Sequence, residues 1–229
     1  AIYAGGAVSV TDGTFTDLVA SGLQGGAIYS YGGGVRLESS TFLRDAAVSG
    51  GAVFAYAGAI TTIDSDFTAN TSATDAGGGL YARDGAIYVQ GGHFTDNTAG
   101  GNGAAIYSYS GPVSVTDATF ARNIGFGDYH GGGAILTFGT LRLTGTTFVG
   151  NMSNGSGGGA RGTGITVVGG TFADNTAGTG SGGGALLSYD GSISVTGATF
   201  LRNRAGYGLA GDLDTFLSEV AVALTPWAH

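Results

Sequence analysis

Residues 183–203 read GGALLSYDGSISVTGATFLRN, and this stretch decides the fold because its parts recur along the chain. It opens on Gly183-Gly184-Ala185-Leu186 and runs through the alternating Ile193-Ser194-Val195-Thr196. It closes on Phe200, with Asn203 three residues later. Working outward, a phenylalanine stands at the same phase at Phe15, Phe42, Phe67, Phe94, Phe120, Phe148 and Phe172, at spacings of 24 to 28 residues. The third residue after it is asparagine in six units: Asn70, Asn97, Asn123, Asn151, Asn175 and Asn203. Leu18 and Asp45 hold that place in the first two. The 229 residues contain only eight Asn, so six at one phase mark a positional requirement rather than composition. A fixed period of this size is the signature of a repeat architecture, in which each unit stacks on its neighbours.

Each unit has a front half and a back half. The front half carries Gly-Gly-Ala and an aliphatic residue, as in Gly25-Gly26-Ala27-Ile28, Gly50-Gly51-Ala52-Val53 and Gly132-Gly133-Ala134-Ile135. One copy, Gly158-Gly159-Ala160-Arg161, reads as an arginine in the aliphatic place. The back half alternates apolar with polar, as in Val35-Arg36-Leu37-Glu38 and Val113-Ser114-Val115-Thr116. Period-two alternation with β-branched residues is a strand signal, and no window offers an amphipathic helix. Two or three short strands per unit, joined by Gly-rich corners, describe one coil of a parallel β-helix. The expectation is an all-β solenoid of about eight coils of roughly 26 residues each. Residues 1–213 form the repeats, and 214–229 form a C-terminal cap in which Phe216, Leu217, Val220, Val222, Leu224 and Trp227 cover the last coil. The phenylalanines are expected as an interior ladder. The asparagines are expected at left-handed corners, with their amides bonded to one another along the rod.

Composition narrows the function. Glycine supplies 48 residues and proline two, with no three-residue period, which excludes collagen. With 42% hydrophobic and 10% charged residues the chain is not of the disordered class. A formal charge of −8, with arginine and no lysine, leaves no basic face for nucleic acid or an anionic membrane surface. Cysteine is absent, and His93 and His130 have no metal-ligand spacing, so no cofactor or metal is expected. The longest late apolar run, Val220 to Leu224, is too short to cross a membrane. The G-x-G-x-x-G runs at 157–162, 178–183 and 206–211 lack the strand-to-helix context of a dinucleotide site.

Gly-Gly-Ala-Ile alternating with Phe-x-x-Asn resembles the repeat of the polymorphic outer-membrane proteins of chlamydiae and relatives, over nearly the whole chain. That resemblance implies a right-handed parallel β-helix, exported as an autotransporter passenger and used as an adhesin outside the cell or on its surface. Leu18, Asp45 and Arg161 depart from the motifs.

Beside the aliphatic site run two aromatic columns. One position along lie Tyr29, Phe54, Tyr81 and Tyr107; three positions along lie Tyr31, Tyr56, Tyr109, Phe138 and Tyr189. If the aliphatic residues point inward, alternation sends both columns outward as a stripe that binds a protein or glycan partner. The opposite parity would bring these rings inside. Catalysis finds less support. Asp64 with Asp66, Asp212 with Asp214, and Asp84 or Asp96 near Arg83 or Arg122 are candidate acidic groups, but Asp at corners is commonly a turn residue. Three functions follow in order. The first is a non-enzymatic surface adhesin or stalk. The second is a filament subunit assembling head to tail through an open first coil, and the third is a polysaccharide-active enzyme.

Overall fold

A computed structural model describes residues 1–127, 131–178, 182–206, 211, 213–215 and 220–223. One coil is represented by Val53–Ala55, Ile60–Ile63, Asp66–Thr68 and Thr71–Ser72. Each strand pairs in parallel with its equivalents one coil above and below, so four parallel sheets run the length of the solenoid. The first sheet has nine strands, from Ile2–Ala4 to Leu213–Thr215; the second has nine, from Val8–Thr11 to Val220–Ala223. The third has eight, from Thr14–Thr16 to Thr199–Leu201, and the fourth seven, from Val19–Gln24 to Thr176–Ala177.

The all-β parallel solenoid is as expected, and two details differ. A coil has four strands rather than two or three. The fourth is mostly two residues long, as at Thr98–Ala99, and two residues are too few for alternation to show. Seven coils carry all four strands rather than eight; among the described residues the eighth closes its fourth side only with the Thr176–Arg204 bridge. At the C-terminal end, Leu213–Thr215 pairs with Leu186–Ser188, and Val220–Ala223 pairs with Ile193–Thr196. Strand pairing thus crosses the expected 213/214 boundary. Phe216, Leu217, Leu224 and Trp227 lie outside the described residues, as do the side chains of Val220 and Val222, so the expected cap falls beyond them.

The interior follows from alternation. Ile28, Val53, Leu80, Ile106, Ile135 and Leu186 on the first sheet, Leu37, Val115 and Leu143 on the second, and the phenylalanines on the third form one continuous core. Phe42, Phe67, Phe94, Phe120, Phe148 and Phe172 are fully buried, and Phe15 and Phe200 close the column at its ends. Successive rings stack at 4.6–5.1 Å between centroids with planes 1–12° apart. That separation is the spacing of paired strands, so the backbone ladder sets the stack. Burial of each ring contributes about 1.5–3 kcal/mol, and each stacked pair about 0.5–1.5 kcal/mol more.

The asparagine column is a hydrogen-bonded ladder. Asn97 shows its unit. Its Oδ1 accepts from the backbone N–H of Asn70 at 3.0 Å and from Asn70 Nδ2 at 3.1 Å. Its own Nδ2 donates to the Phe67 carbonyl at 2.9 Å and to Asn123 Oδ1 at 3.0 Å. Asn123, Asn151 and Asn175 repeat the arrangement, ending on Asn203. The left-handed conformation expected of these asparagines belongs instead to the residue before each of them. Asp17, Arg44, Ala69, Asp96, Arg122, Asp174 and Arg202 have φ between 51° and 56°, and Gly150 has φ 64°. The corner needs one left-handed residue and one inward amide. Turning the chain at the first aims the second into the core.

At this left-handed position Asp and Arg alternate with a small residue: Asp17-Arg44, Ala69, Asp96-Arg122, Gly150, Asp174-Arg202. Each Arg grips the Asp one coil before it through two nitrogens, at 2.7 and 2.7–2.8 Å. The Arg44 and Arg202 guanidiniums hold the Asp17 and Asp174 carboxyls below the usual carboxylate range. These pairs are exposed, so their part is to match coil to coil rather than to supply much stability.

Replacing one ladder amide strands several buried polar groups at once. Asn97→Ala removes the acceptor of the Asn70 backbone N–H and the donor to the Phe67 carbonyl. It is expected to cost about 3 kcal/mol or more in urea unfolding; a loss below about 1 kcal/mol would show that the ladder does not carry the stack.

Asp45 occupies the same buried slot without an amide nitrogen. Its Oδ1 accepts from Leu18 N–H at 3.0 Å, but its Oδ2 is buried with no hydrogen-bond partner. Burial pushes this carboxyl up to about 6, against the opposing pull of the Leu18 N–H. The folded chain therefore holds the proton more tightly than the unfolded chain. The associated stability is complete below about pH 4 and is lost as the pH rises through about 6. A shift of this size corresponds to about 3 kcal/mol. Asp45→Asn restores a donor, so its stability advantage over the parent chain is expected to widen by about that amount between pH 4 and 7. A difference independent of pH would mean that Asp45 does not titrate in this range.

Candidate functional site

The outward side of the first sheet carries the aromatic columns. Alternation holds for the rod interior: Ile28, Val53, Leu80 and Ile106 point in, and Tyr29, Phe54, Tyr81 and Tyr107 point out. The two columns differ in exposure. Phe54, Tyr81, Tyr107 and Leu136 are only 5%, 8%, 9% and 1% exposed, and with Ala76 they form a second apolar cluster outside the core. The expected two-column exposed stripe is therefore corrected to one buried column and one exposed column. The reason is the Gly-rich segment between the fourth strand and the next coil. It brings Ala76 against the first column, and Asp75 joins it through a 2.6 Å hydrogen bond from Ser49 Oγ. Such a covering layer leaves no trace in strand alternation.

The exposed column is Tyr31, Tyr56, Arg83, Tyr109, Phe138, Thr163 and Tyr189, each backbone N–H bonded to the coil before it. Tyr31, Tyr109 and Tyr189 are about half exposed, at 53%, 53% and 52%. Tyr31 stacks on Tyr56 at 5.0 Å, and Arg83, one coil further along, has its guanidinium over the Tyr56 ring at 4.5 Å from its centroid. Arg83 is thus a member of the column that reading aromatics alone misses. The three-residue offset from Leu80 was the signal that could have found it.

Arg161 also moves. Pairing aligns Ala160 with Ile135 and Leu186, and Arg161 with Leu136 and Leu187. The arginine therefore belongs to the buried aromatic column, not to the inward aliphatic one; the Gly-Gly-Ala of that coil is displaced by one residue. Arg161 is 4% exposed, its guanidinium lies 4.8 Å from the Tyr189 ring, and burial lowers its pKa from the ordinary value. Burial likewise pushes the Tyr81 phenol up to about 12 and raises that of Tyr107 further, so both hydroxyls keep their protons.

The acidic candidates do not converge. Asp96 is held by Arg122, and Asp66 pairs with His93 Nδ1 at 2.8 Å on an exposed surface. Asp64 sits in a left-handed corner at φ 45°. The side chains of Asp212 and Asp214, and His130, lie outside the described residues. Among the described residues no three His, Asp or Glu groups gather to hold a metal ion, and no helix is long and apolar enough to cross a membrane.

The model of the Chlamydia polymorphic membrane protein repeat matches residues 93–109. That segment of the chain is similar to this repeat. The matched segment runs from His93 beside the phenylalanine ladder, through the ladder step Asn97, to Tyr107 and Tyr109 of the two aromatic columns. The segment similar to that repeat thus spans both the scaffold and the outward face of the first sheet. Searches of curated proteins and of solved structures return no match.

The two columns are expected to respond differently to truncation. Tyr107→Ala empties a packed site and should cost about 3–4 kcal/mol, whereas Tyr109→Ala should change stability by less than about 1 kcal/mol. Equal losses in thermal or urea unfolding would contradict the buried-and-exposed division.

Proposed function

We propose that the chain is a non-enzymatic, surface-displayed solenoid that engages a partner outside the cell through the exposed column of its first sheet. The observation that carries this reading is the run of that column over five successive coils, from Tyr31 to Phe138, with Tyr189 beyond Thr163. Tyr31, Tyr56, Arg83, Tyr109, Phe138 and Tyr189 present aromatic and cationic faces in line on a rigid parallel sheet. Rings held by a paired backbone and a buried aromatic layer lose little freedom on binding, which favours contact surfaces of Tyr and Arg. The match to a Chlamydia polymorphic membrane protein repeat supports a place at the cell surface, and the acidic chain disfavours a polyanionic partner.

A labelled chain applied to cultured epithelial cells tests this reading. Binding is expected to fall about tenfold or more in a Tyr31→Ala, Tyr109→Ala, Tyr189→Ala variant that keeps the parent's unfolding profile. Undiminished binding by that variant would place the contact on another face.

A further inference from the structure

Where the buried column meets the exposed one, the first sheet holds a cleft of about 260 Å³ lined by Gln24, Ser49, Phe54, Asp75, Tyr81, Arg83 and Tyr109. Its chemistry divides into two kinds. Tyr109, 53% exposed, supplies an open ring surface, and the largely buried Phe54 and Tyr81 form the floor beneath it. Asp75, Arg83 and the two tyrosine hydroxyls supply an acceptor, a donor and two groups able to do either.

These groups are held in place before any ligand arrives. Ser49, 4% exposed, donates from Oγ to Asp75 Oδ2 at 2.6 Å and fixes the carboxylate. Arg83 is laid against the Tyr56 ring, with its centroid 4.5 Å away. Neither charge neutralises the other: among the described residues Asp75 and Arg83 form no ion pair, with each other or with any other group. The Tyr81 phenol, kept protonated by burial and by the nearby Asp75 carboxylate, remains a donor. A carboxylate and a guanidinium on the walls of one small aromatic cleft call for a neutral ligand that can donate to one and accept from the other.

We propose that this cleft binds a single pyranose residue of a glycan, with a ring C–H face on the aromatic surface and its hydroxyls bridging Asp75 and Arg83. This rests on the reading of the first sheet as the binding face. A pyranose combines an apolar face with a girdle of groups that both donate and accept, which matches the division of the cleft. An extended peptide fits less well. Strand addition needs a free sheet edge. The cleft instead opens on a sheet face, where Tyr81 and its neighbours are paired to coils on both sides. A polyanion would meet Asp75 and a chain of net charge −8.

Saturation-transfer NMR on the full chain, with methyl glycosides of glucose, galactose, mannose and N-acetylglucosamine as probes, tests the assignment. At least one glycoside is expected to receive magnetisation at its ring C–H protons. Asp75→Asn and Arg83→Ala should each weaken that binding by about tenfold or more, while Tyr88→Ala, at an exposed position of the second sheet outside the cleft, leaves it unchanged. No transfer to any probe at millimolar concentration would overturn the proposal. So would transfer that survives both cleft substitutions. The two readings fail separately. Cell binding lost in the Tyr31, Tyr109, Tyr189 variant without any glycoside transfer removes only the sugar. Cell binding retained by that variant and by Asp75→Asn removes the face itself.

Discussion

The hydrogen bond from each asparagine to the next is the constraint on which the rest of this solenoid depends. Strands of two to four residues, as all but Val19–Gln24 are among the described residues, are too short to choose a register by themselves. A one-residue slip would turn every side chain to the opposite face. The amide ladder prevents the slip because Oδ1 of one asparagine must meet both the backbone and the side-chain N–H of the coil before it. With that step locked, the phenylalanine three residues earlier is brought over its predecessor at the strand spacing. The core column follows from the corner.

The corner also explains which irregularities the chain tolerates. A left-handed conformation costs a residue with a Cβ about 1–2 kcal/mol, yet aspartate, arginine and alanine all adopt it beside the ladder. The buried amide bonds of the next residue offset that strain, so the position is freed from glycine and can carry the exposed Asp–Arg pairs. Where the ladder residue itself changes to Asp45, the geometry survives but one oxygen is left without a donor. The scaffold thus concentrates its chemical sensitivity in a single buried column.

The first sheet is built in two layers, and its binding potential comes from that layering. Phe54, Tyr81, Tyr107 and Leu136 are outside the rod's core but inside a second one, closed by loop residues such as Ala76. They form a stiff base for the exposed column above. Arg83 and Arg161 settle on tyrosines of that column, so cations are embedded among aromatic rings rather than displayed alone. The cleft at Asp75 exists only because a loop from one coil reaches the aromatic strand of another.

Much of this was legible in the residues. The Phe and Asn phases announced a parallel solenoid, its period and its two ladders, because a stacked repeat must place like residues over like. Alternation correctly divided inward aliphatics from outward aromatics at Ile28 and Tyr29 or Ile106 and Tyr107. It could not tell that Tyr107 is buried while Tyr109 is exposed, since burial of an outward residue depends on a loop that no strand pattern describes. It also misplaced Arg161 by one residue, because glycines look alike in sequence and only strand pairing with Leu136 and Leu187 identifies its column. The sequence by itself determined the fold, through the periodic need to stack phenylalanine and bond asparagine. Only the tertiary structure decided which aromatic surface meets solvent, and which charges share a cleft, because both depend on contacts between coils and loops that share no local pattern.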